Sequence, residues 1–238
     1  IGLGIPAEPL FRSRDISILT NGILSIADGT ITSNNNGKYG YEISNSVVTS
    51  SGMIQAINNE EGLKIANSKV VTKGLNLSSN TYGINIGTGE NVEIEFAGED
   101  TTFNLENNTK NGINITGGKL KIIGDIGEME SESDGRLVEI RAAGELEIVG
   151  NGFKAENAKN GIYVTGKNSK VIASDYMIQV STNVDIGIYA DNFGQVNAKK
   201  IIAYNNGTGV KAGYSSNAEV EDIEIEKATK GIYSESGG

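Results

Sequence analysis

The sequence predicts an all-β protein that folds as a right-handed parallel β-helix, a solenoid with three short strands per coil and about nine to ten coils. Three observations support this prediction. A glycine-led tetrad recurs along the chain, short segments alternate apolar and polar residues, and no proline follows residue 9. Because proline cannot donate to a strand ladder, its absence favours continuous strands.

The tetrad consists of glycine, an apolar residue, a variable residue and, in most copies, a second apolar residue. Neighbouring copies start 18 to 29 residues apart, except for one interval of 49 residues that a looser copy at 137–140 divides. Repeats of roughly 20 to 50 residues are typical of solenoids, propellers and arrays. The copies start at Gly22, Gly40, Gly62, Gly83, Gly112, Gly161, Gly187, Gly209 and Gly231.

Each unit divides into three alternating segments, as at 161–164, 170–173 and 177–180, with Gly, Asn, Ser and Asp at the corners. Alternation over four to six residues indicates strands. We expect two inward columns of aliphatic residues. The first strand supplies Ile84, Ile113, Ile162, Ile188, Val210 and Ile232, and the second supplies Val92, Leu120, Leu146, Val171, Val196 and Val220.

The corners predict special backbone conformations. We expect each tetrad glycine to occupy a corner that needs positive φ or close backbone approach. Asparagine tolerates the left-handed region and can hydrogen-bond a stacked copy of itself in the next coil. The corner residues of this kind are Asn107, Asn108, Asn157, Asn205, Asn206 and either Asn111 or Asn160.

Two segments depart from the repeat. Residues 1–16 carry both prolines and predict an irregular N-terminal segment or linker, whereas 17–238 form the β-helix. Residues 124–136 are acidic and have few apolar positions, which predicts a polar loop inserted into the solenoid.

Composition narrows the function classes. The formal net charge is −10, with 20 Lys and Arg against 30 Asp and Glu, which disfavours nucleic acid and anionic membrane surfaces as partners. The chain has no Cys and no His, so thiolate metal sites and disulfides are excluded, and the commonest general base is missing. No apolar run approaches the ~18 residues of a membrane helix.

The tetrads Gly-Ile-Tyr-Val/Ala/Ser with their polar corners carry a family resemblance. Residues 157–234 resemble the passenger region of bacterial autotransporters, and the Asn, Lys and Ile richness is most similar to the large fusobacterial autotransporter adhesins. The resemblance implies a secreted, surface-displayed rod, anchored in the parent chain by an outer-membrane barrel. The implied partners are host or bacterial cell-surface proteins or glycans. The resemblance transfers no binding residue, and it implies that this chain is part of a longer stalk.

Parallel β-helices also occur as polysaccharide lyases and hydrolases, which use outward carboxylates with a basic residue. Two acidic runs are candidates here. One contains Glu128, Glu130, Glu132 and Asp134, with Arg136 and Arg141 nearby, and the other contains Glu219, Glu221, Asp222, Glu224 and Glu226. The alternative for both is a solvated strand face or loop, and we favour it. We therefore expect no catalytic residues, metal site or cofactor.

The candidate binding residues are Tyr163, Tyr189, Lys211 and Tyr233, which take the same outward tetrad position in four consecutive units. Six of the nine tyrosines follow residue 160. Tyrosines and cation–π pairs recur at interfaces. The alternative is a cross-strand ladder with no ligand.

The leading functional hypothesis is an adhesin stalk and binding surface. A carbohydrate-active enzyme and an inert spacer are the alternatives.

Overall fold

Strands account for all the regular structure of the described residues. The computed structural model describes residues 16–18, 22–27, 29–235 and 237–238. The predicted irregular segment 1–16 lies outside these residues, apart from Ile16, which starts the first strand. The strands are β1 (Ile16–Ile18), β2 (Ile23–Ile26), β3 (Ile31–Thr32), β4 (Tyr39–Ser44), β5 (Val47–Gln55), β6 (Glu61–Ala66), β7 (Ser68–Asn76), β8 (Tyr82–Ile86), β9 (Asn91–Phe96), β10 (Thr102–Asn108), β11 (Asn111–Thr116), β12 (Lys119–Ile123), β13 (Glu128–Arg141), β14 (Glu145–Val149), β15 (Lys154–Glu156), β16 (Ala158–Thr165), β17 (Lys170–Ser181), β18 (Ile186–Asp191), β19 (Gln195–Tyr204), β20 (Thr208–Ala212), β21 (Asn217–Glu226) and β22 (Lys230–Ser234).

All pairings are parallel and join the strands into one sheet, which winds into a β-solenoid of about nine turns. The predicted fold class is confirmed. Each coil crosses three faces. The tetrad face contains β1, β4, β6, β8, β11, the last parts of β13 and β16, and then β18, β20 and β22. The second face contains β2, β9, β12, β14 and the first parts of β5, β7, β17, β19 and β21. The third face contains the remaining strands. In five coils, one bent strand therefore spans both the second and third faces.

The inward columns form the core. Ile113 pairs with Val138, which pairs with Ile162, and all three side chains are completely buried. The first predicted column is therefore confirmed along its length. Its last member, Ile232, keeps its register but is 65% exposed, because no described coil covers it.

The second column needs one correction. Ala218, not Val220, pairs with Val196, and Val220 pairs with Ala198 in the neighbouring inward column. Both residues point inward because side-chain direction repeats every two residues. A two-residue slip therefore leaves the apolar pattern unchanged, and the sequence could not distinguish the two registers.

A buried asparagine ladder closes the corner between the third face and the tetrad face. Asn80 Oδ1 accepts from the backbone N–H of Asn59 at 2.8 Å, and Asn108 Oδ1 accepts from that of Asn80 at 3.0 Å. The predicted stacking of corner asparagines is confirmed here. The residue before each ladder asparagine has positive φ, as at Asn58 (59°) and Asn107 (55°). The corner thus uses two adjacent residues, one for the left-handed turn and one for the ladder.

The predicted tetrad copy at Gly22 is wrong, because β2 pairs with β5 on the second face and Ile23 is 81% exposed. The tetrad glycines from Gly40 to Gly209 serve close approach, not positive φ. Gly83 is absent from the left-handed region, but a Cβ there would lie 2.5 Å from the carbonyl oxygen of Gly112. The ladder adds a second restriction, since a Cβ at Gly62 would lie 2.7 Å from Asn80 Nδ2. Stacked backbones and stacked amides therefore exclude any side chain.

The loose tetrad copy tests this explanation. Leu137 occupies the glycine position, in register between Gly112 and Gly161, and its side chain is fully buried. The ladder positions of that coil and the next are Ser133 and Ala158, which carry no amide. The larger side chain and the missing amides thus occur together.

The predicted acidic loop at 124–136 is wrong for most of its length. Residues from Glu128 onward belong to β13, which pairs with both β10 and β16. Met129, Ser131 and Ser133 point inward and are buried, while the intervening acids point outward. Inward serines conceal this strand in the sequence, because they do not register as apolar positions.

Candidate binding surface on the tetrad face

Tyr163, Tyr189, Lys211 and Tyr233 lie in one outward column on four adjacent coils, which we call the tyrosine column. The register pairs Tyr163 with Tyr189, Tyr189 with Lys211, and Lys211 with Tyr233. The tetrad places each of them, because the apolar residues on either side point into the core. All four side chains are partly buried by their neighbours.

Cations of the chain itself cover the ring faces of the column. The Arg136 guanidinium lies 3.8 Å from the Tyr163 ring centroid, and the Tyr163 and Tyr189 centroids are 5.1 Å apart. The Lys211 ammonium lies 4.6 Å from the Tyr189 centroid and 5.6 Å from that of Tyr233. An incoming ligand therefore meets ring edges, hydroxyls and charged groups. This geometry favours the structural alternative for the column itself.

Acidic groups hold the cations in place. Glu235 lies 2.6 Å from Lys211 Nζ, and this hydrogen bond raises the pKa of the Lys211 ammonium. Glu139 similarly lies 2.6 Å from Arg136 Nη1. Burial, followed by the charge of Asp191, raises the pKa of the Tyr189 phenol. Lys211 and Arg136 thus each have a carboxylate partner that holds the cation against a ring.

Two buried asparagine carbonyls on this face have no hydrogen-bond partner among the described residues. Asn114 is 5% exposed and Asn160 is 9% exposed, and the Oδ1 atom of each is unpaired. Asn114 Nδ2 donates to Asn85 Oδ1 at 2.7 Å, so only one end of its amide is satisfied. Sequence reasoning considered Asn160 only as a corner residue and gave neither residue a binding role, because outward asparagines in an Asn-rich chain carry no distinguishing signal.

An exposed aromatic pair lies at the corner that follows the tetrad face. Phe193 and Tyr214 are 44% and 55% exposed, and their rings meet edge to face with centroids 5.6 Å apart. We call this pair the aromatic corner. Sequence reasoning counted Tyr214 among the late tyrosines but missed Phe193. The available signal was a phenylalanine between Asn192 and Gly194, where a tight turn favours glycine or asparagine.

Comparisons with known protein families, with curated protein sequences and with solved structures give no match. Evidence for function must therefore come from the surface and the fold. No helix in the described ranges has the length and apolar character needed to cross a membrane.

The acidic candidates do not converge on one site. Glu128 and Glu130 project from the third face, whereas Arg136 and Arg141 follow the corner and bind Glu139 on the tetrad face. The part of the chain described here contains no group of three or more acidic side chains arranged to hold a metal ion.

The second acidic run lies along β21. Its members Asp222 and Glu224 share Lys200, at 3.1 and 3.2 Å. The run therefore forms part of a solvated strand face with ion pairs to the preceding coil, which agrees with the alternative of a solvated strand face.

Charges of opposite sign alternate along the second face. Lys121 pairs with Glu93 on one side and Glu147 on the other, and its Nζ lies 2.9 Å from Glu147. Lys69 extends the column and lies 2.6 Å from Glu93. Exposed pairs of this kind contribute about 0.2–1 kcal/mol each. They help to fix register but offer no open cationic site.

Proposed function

We propose that this chain is part of a surface-displayed bacterial passenger that acts as an adhesin stalk and carries a binding surface for cell-surface receptors. The resemblance of residues 157–234 to autotransporter passengers supports the cellular setting. The surface geometry supports a lateral binding face over a catalytic cleft.

The observation that carries the proposal is the uninterrupted stacking of the tetrad face. Its strands pair in a single series from β1 to β22, so ten strands lie one above another. At a strand spacing of ~4.8 Å, about nine turns give a rod ~43 Å long. Such a rod presents the side chains of successive coils at a fixed spacing along its axis.

The packed interior stabilises the rod without disulfide bonds. Ile84, Ile162 and Ile188 are completely buried in one column, and each coil is stabilised mainly by its neighbours. The chain contains no Cys, so its folding requires no oxidant. These properties suit a stalk that folds outside the cell.

Attachment of the purified chain to cells tests the proposal. We expect saturable binding of the labelled chain to host or bacterial cells, with competition by unlabelled chain. The triple variant Tyr163→Ser, Tyr189→Ser and Tyr233→Ser should melt at a lower temperature, because it removes the stacked column. Absence of saturable binding to all cells would support the spacer alternative. Release of sugars from acidic polysaccharides would instead support the enzyme.

A further inference from the structure

The corner at Asn192 and Phe193 adopts a conformation that phenylalanine disfavours. The two residues have φ of 47° and 68°, and the backbone N–H of Gly194 closes the turn on the carbonyl of Asp191 at 2.9 Å. Left-handed backbone at a bulky residue is unusual, and residues held in this way cluster at functional sites. The strained backbone therefore suggests that the Phe193 ring has a function.

An equivalent corner shows what the fold itself requires there. Ala142 and Ala143 have φ of 54° and 66°, and Gly144 closes their turn on Arg141 at 3.0 Å. A methyl group is thus sufficient for the turn. The phenyl ring of Phe193 exceeds the structural requirement, and nearly half of it faces solvent.

The next coil supplies the second ring and fixes it against the first. The backbone N–H of Phe193 donates to the carbonyl of Tyr214 at 3.1 Å, which holds the two corners together. Unlike the tyrosine column, this pair has no cation over either ring among the described residues. Its outward ring surfaces therefore remain open.

A carboxylate lies beside the pair without a cationic partner. Asp191 accepts a hydrogen bond from Tyr163 Oη at 3.3 Å, and no ion pair to it occurs within the described ranges. Its Oδ1 would lie 2.6 Å from a Cβ at Gly213, the residue before Tyr214. Because residue 213 is glycine, the Asp191 carboxylate can lie against the backbone next to Tyr214.

We propose that the aromatic corner, with Asp191, binds a neutral pyranose sugar. Open aromatic rings accept the C–H face of a sugar ring, and a carboxylate accepts hydrogen bonds from its hydroxyls. The carboxylate and the net charge of −10 oppose acidic sugars. The apolar area, two rings within a polar surface, is small for a protein partner, which typically buries ~800 Å² on each side.

This inference rests on the proposed adhesive function for its biological role, but sugar binding can be measured independently. The probe is a panel of immobilised neutral hexose and N-acetylhexosamine oligosaccharides, followed by calorimetry with any sugar that the purified full chain retains. We expect Phe193→Gly to weaken binding at least tenfold while the melting temperature stays equal or rises, because glycine relieves the left-handed strain. Tyr214→Ala should weaken binding by a similar factor.

Two further variants separate the site from general effects. Ala143→Gly makes the same backbone change at the equivalent corner and should leave binding unchanged. Gly213→Ala should weaken binding without removing either ring, because the new methyl group displaces Asp191. Equal binding by wild type and Phe193→Gly, or no retention on any neutral oligosaccharide of the panel, would overturn the proposal.

Cell attachment distinguishes the two proposals. If the chain attaches to cells and attachment survives both Phe193→Gly and excess sugar, the sugar site is wrong while the adhesin function stands. Loss of attachment on protease treatment of the cells, with glycans intact, would point to a protein partner and likewise overturn the sugar site. If sugar binding depends on the corner but cells are not bound, the site stands and the adhesin function fails.

Discussion

The tetrad glycine at 187 allows the central packing argument to be tested by adding one methyl group. In Gly187→Ala, the new Cβ would lie 2.6 Å from the carbonyl oxygen of Gly209 and 2.7 Å from Val180 Cγ2. Both distances are shorter than van der Waals contact, and the first involves backbone that is fixed by the strand ladder. The coils must therefore separate or the strand must shift.

The expected magnitude follows from two opposing effects. Overpacking a tight interior costs about 1–3 kcal/mol. Replacing glycine with alanine also restricts the unfolded chain, which stabilises the folded state by about 0.4–1 kcal/mol where the site has room. Gly231 is the matched control, because it has the same tetrad position and nothing lies within 4 Å of its added Cβ. Because the restriction of the unfolded chain is the same in both variants, it cancels, and we expect Gly187→Ala to be less stable than Gly231→Ala by about 1–3 kcal/mol.

Urea unfolding followed by far-ultraviolet circular dichroism measures this difference. Coil-by-coil unfolding is a known property of solenoids, so the slope against urea should be compared between variants before free energies are assigned. Equal unfolding midpoints for the two variants would refute the close-approach explanation of the tetrad. A loss of stability in Gly231→Ala alone would refute it as well.

Two other predictions concern the ladder and the charged surface. Asn183→Ala removes the acceptor of the Ala158 N–H at 3.1 Å and the donor to the Ala155 carbonyl at 2.9 Å. We therefore expect the unfolding free energy to fall by about 2–6 kcal/mol and hydrogen exchange at Ala158 to become faster. The control Lys159→Ala, on the surface beside Ala158, should have little effect. Burial raises the pKa of the Glu61 carboxyl, so its contribution to stability is fully present below the ordinary value of 4.5 and declines as pH rises through the folded-state pKa. Glu61→Gln should remove that decline, and unfolding free energies that fall equally with pH in both proteins would contradict this.

The sequence was sufficient to predict the fold because its two signals are independent. The tetrad period gives the length of a coil, and the two-residue alternation gives the inward side chains. Ile113, Ile162 and Ile188 satisfy both signals, and they share one buried column. Corner lengths vary from coil to coil, however, and alternation cannot detect a slip of two residues. Val220 was misplaced for this reason.

Polar residues that point inward were the main source of error in the fold. Ser131 and Ser133 are buried, and their hydroxyls bond to backbone of adjacent coils. A Glu-Ser alternation has the same spacing as a solvent-exposed loop of low complexity. Only the pairing of β13 with its neighbours separates the two, and that pairing depends on residues more than 20 positions away.

The candidate site was predictable in its position but not in its availability to a ligand. In-register parallel strands stack equivalent side chains at ~4.8 Å, so any ring on a flat face is covered by its neighbours in the column. Tyr163 and Tyr189 follow this rule, since Arg136, Lys211 and the two rings themselves fill the gaps. Rings can remain open where they do not stack in register. Phe193 and Tyr214 meet this condition, because the flanking strands place Phe193 opposite Ser215 and not opposite Tyr214, and the two rings meet edge to face.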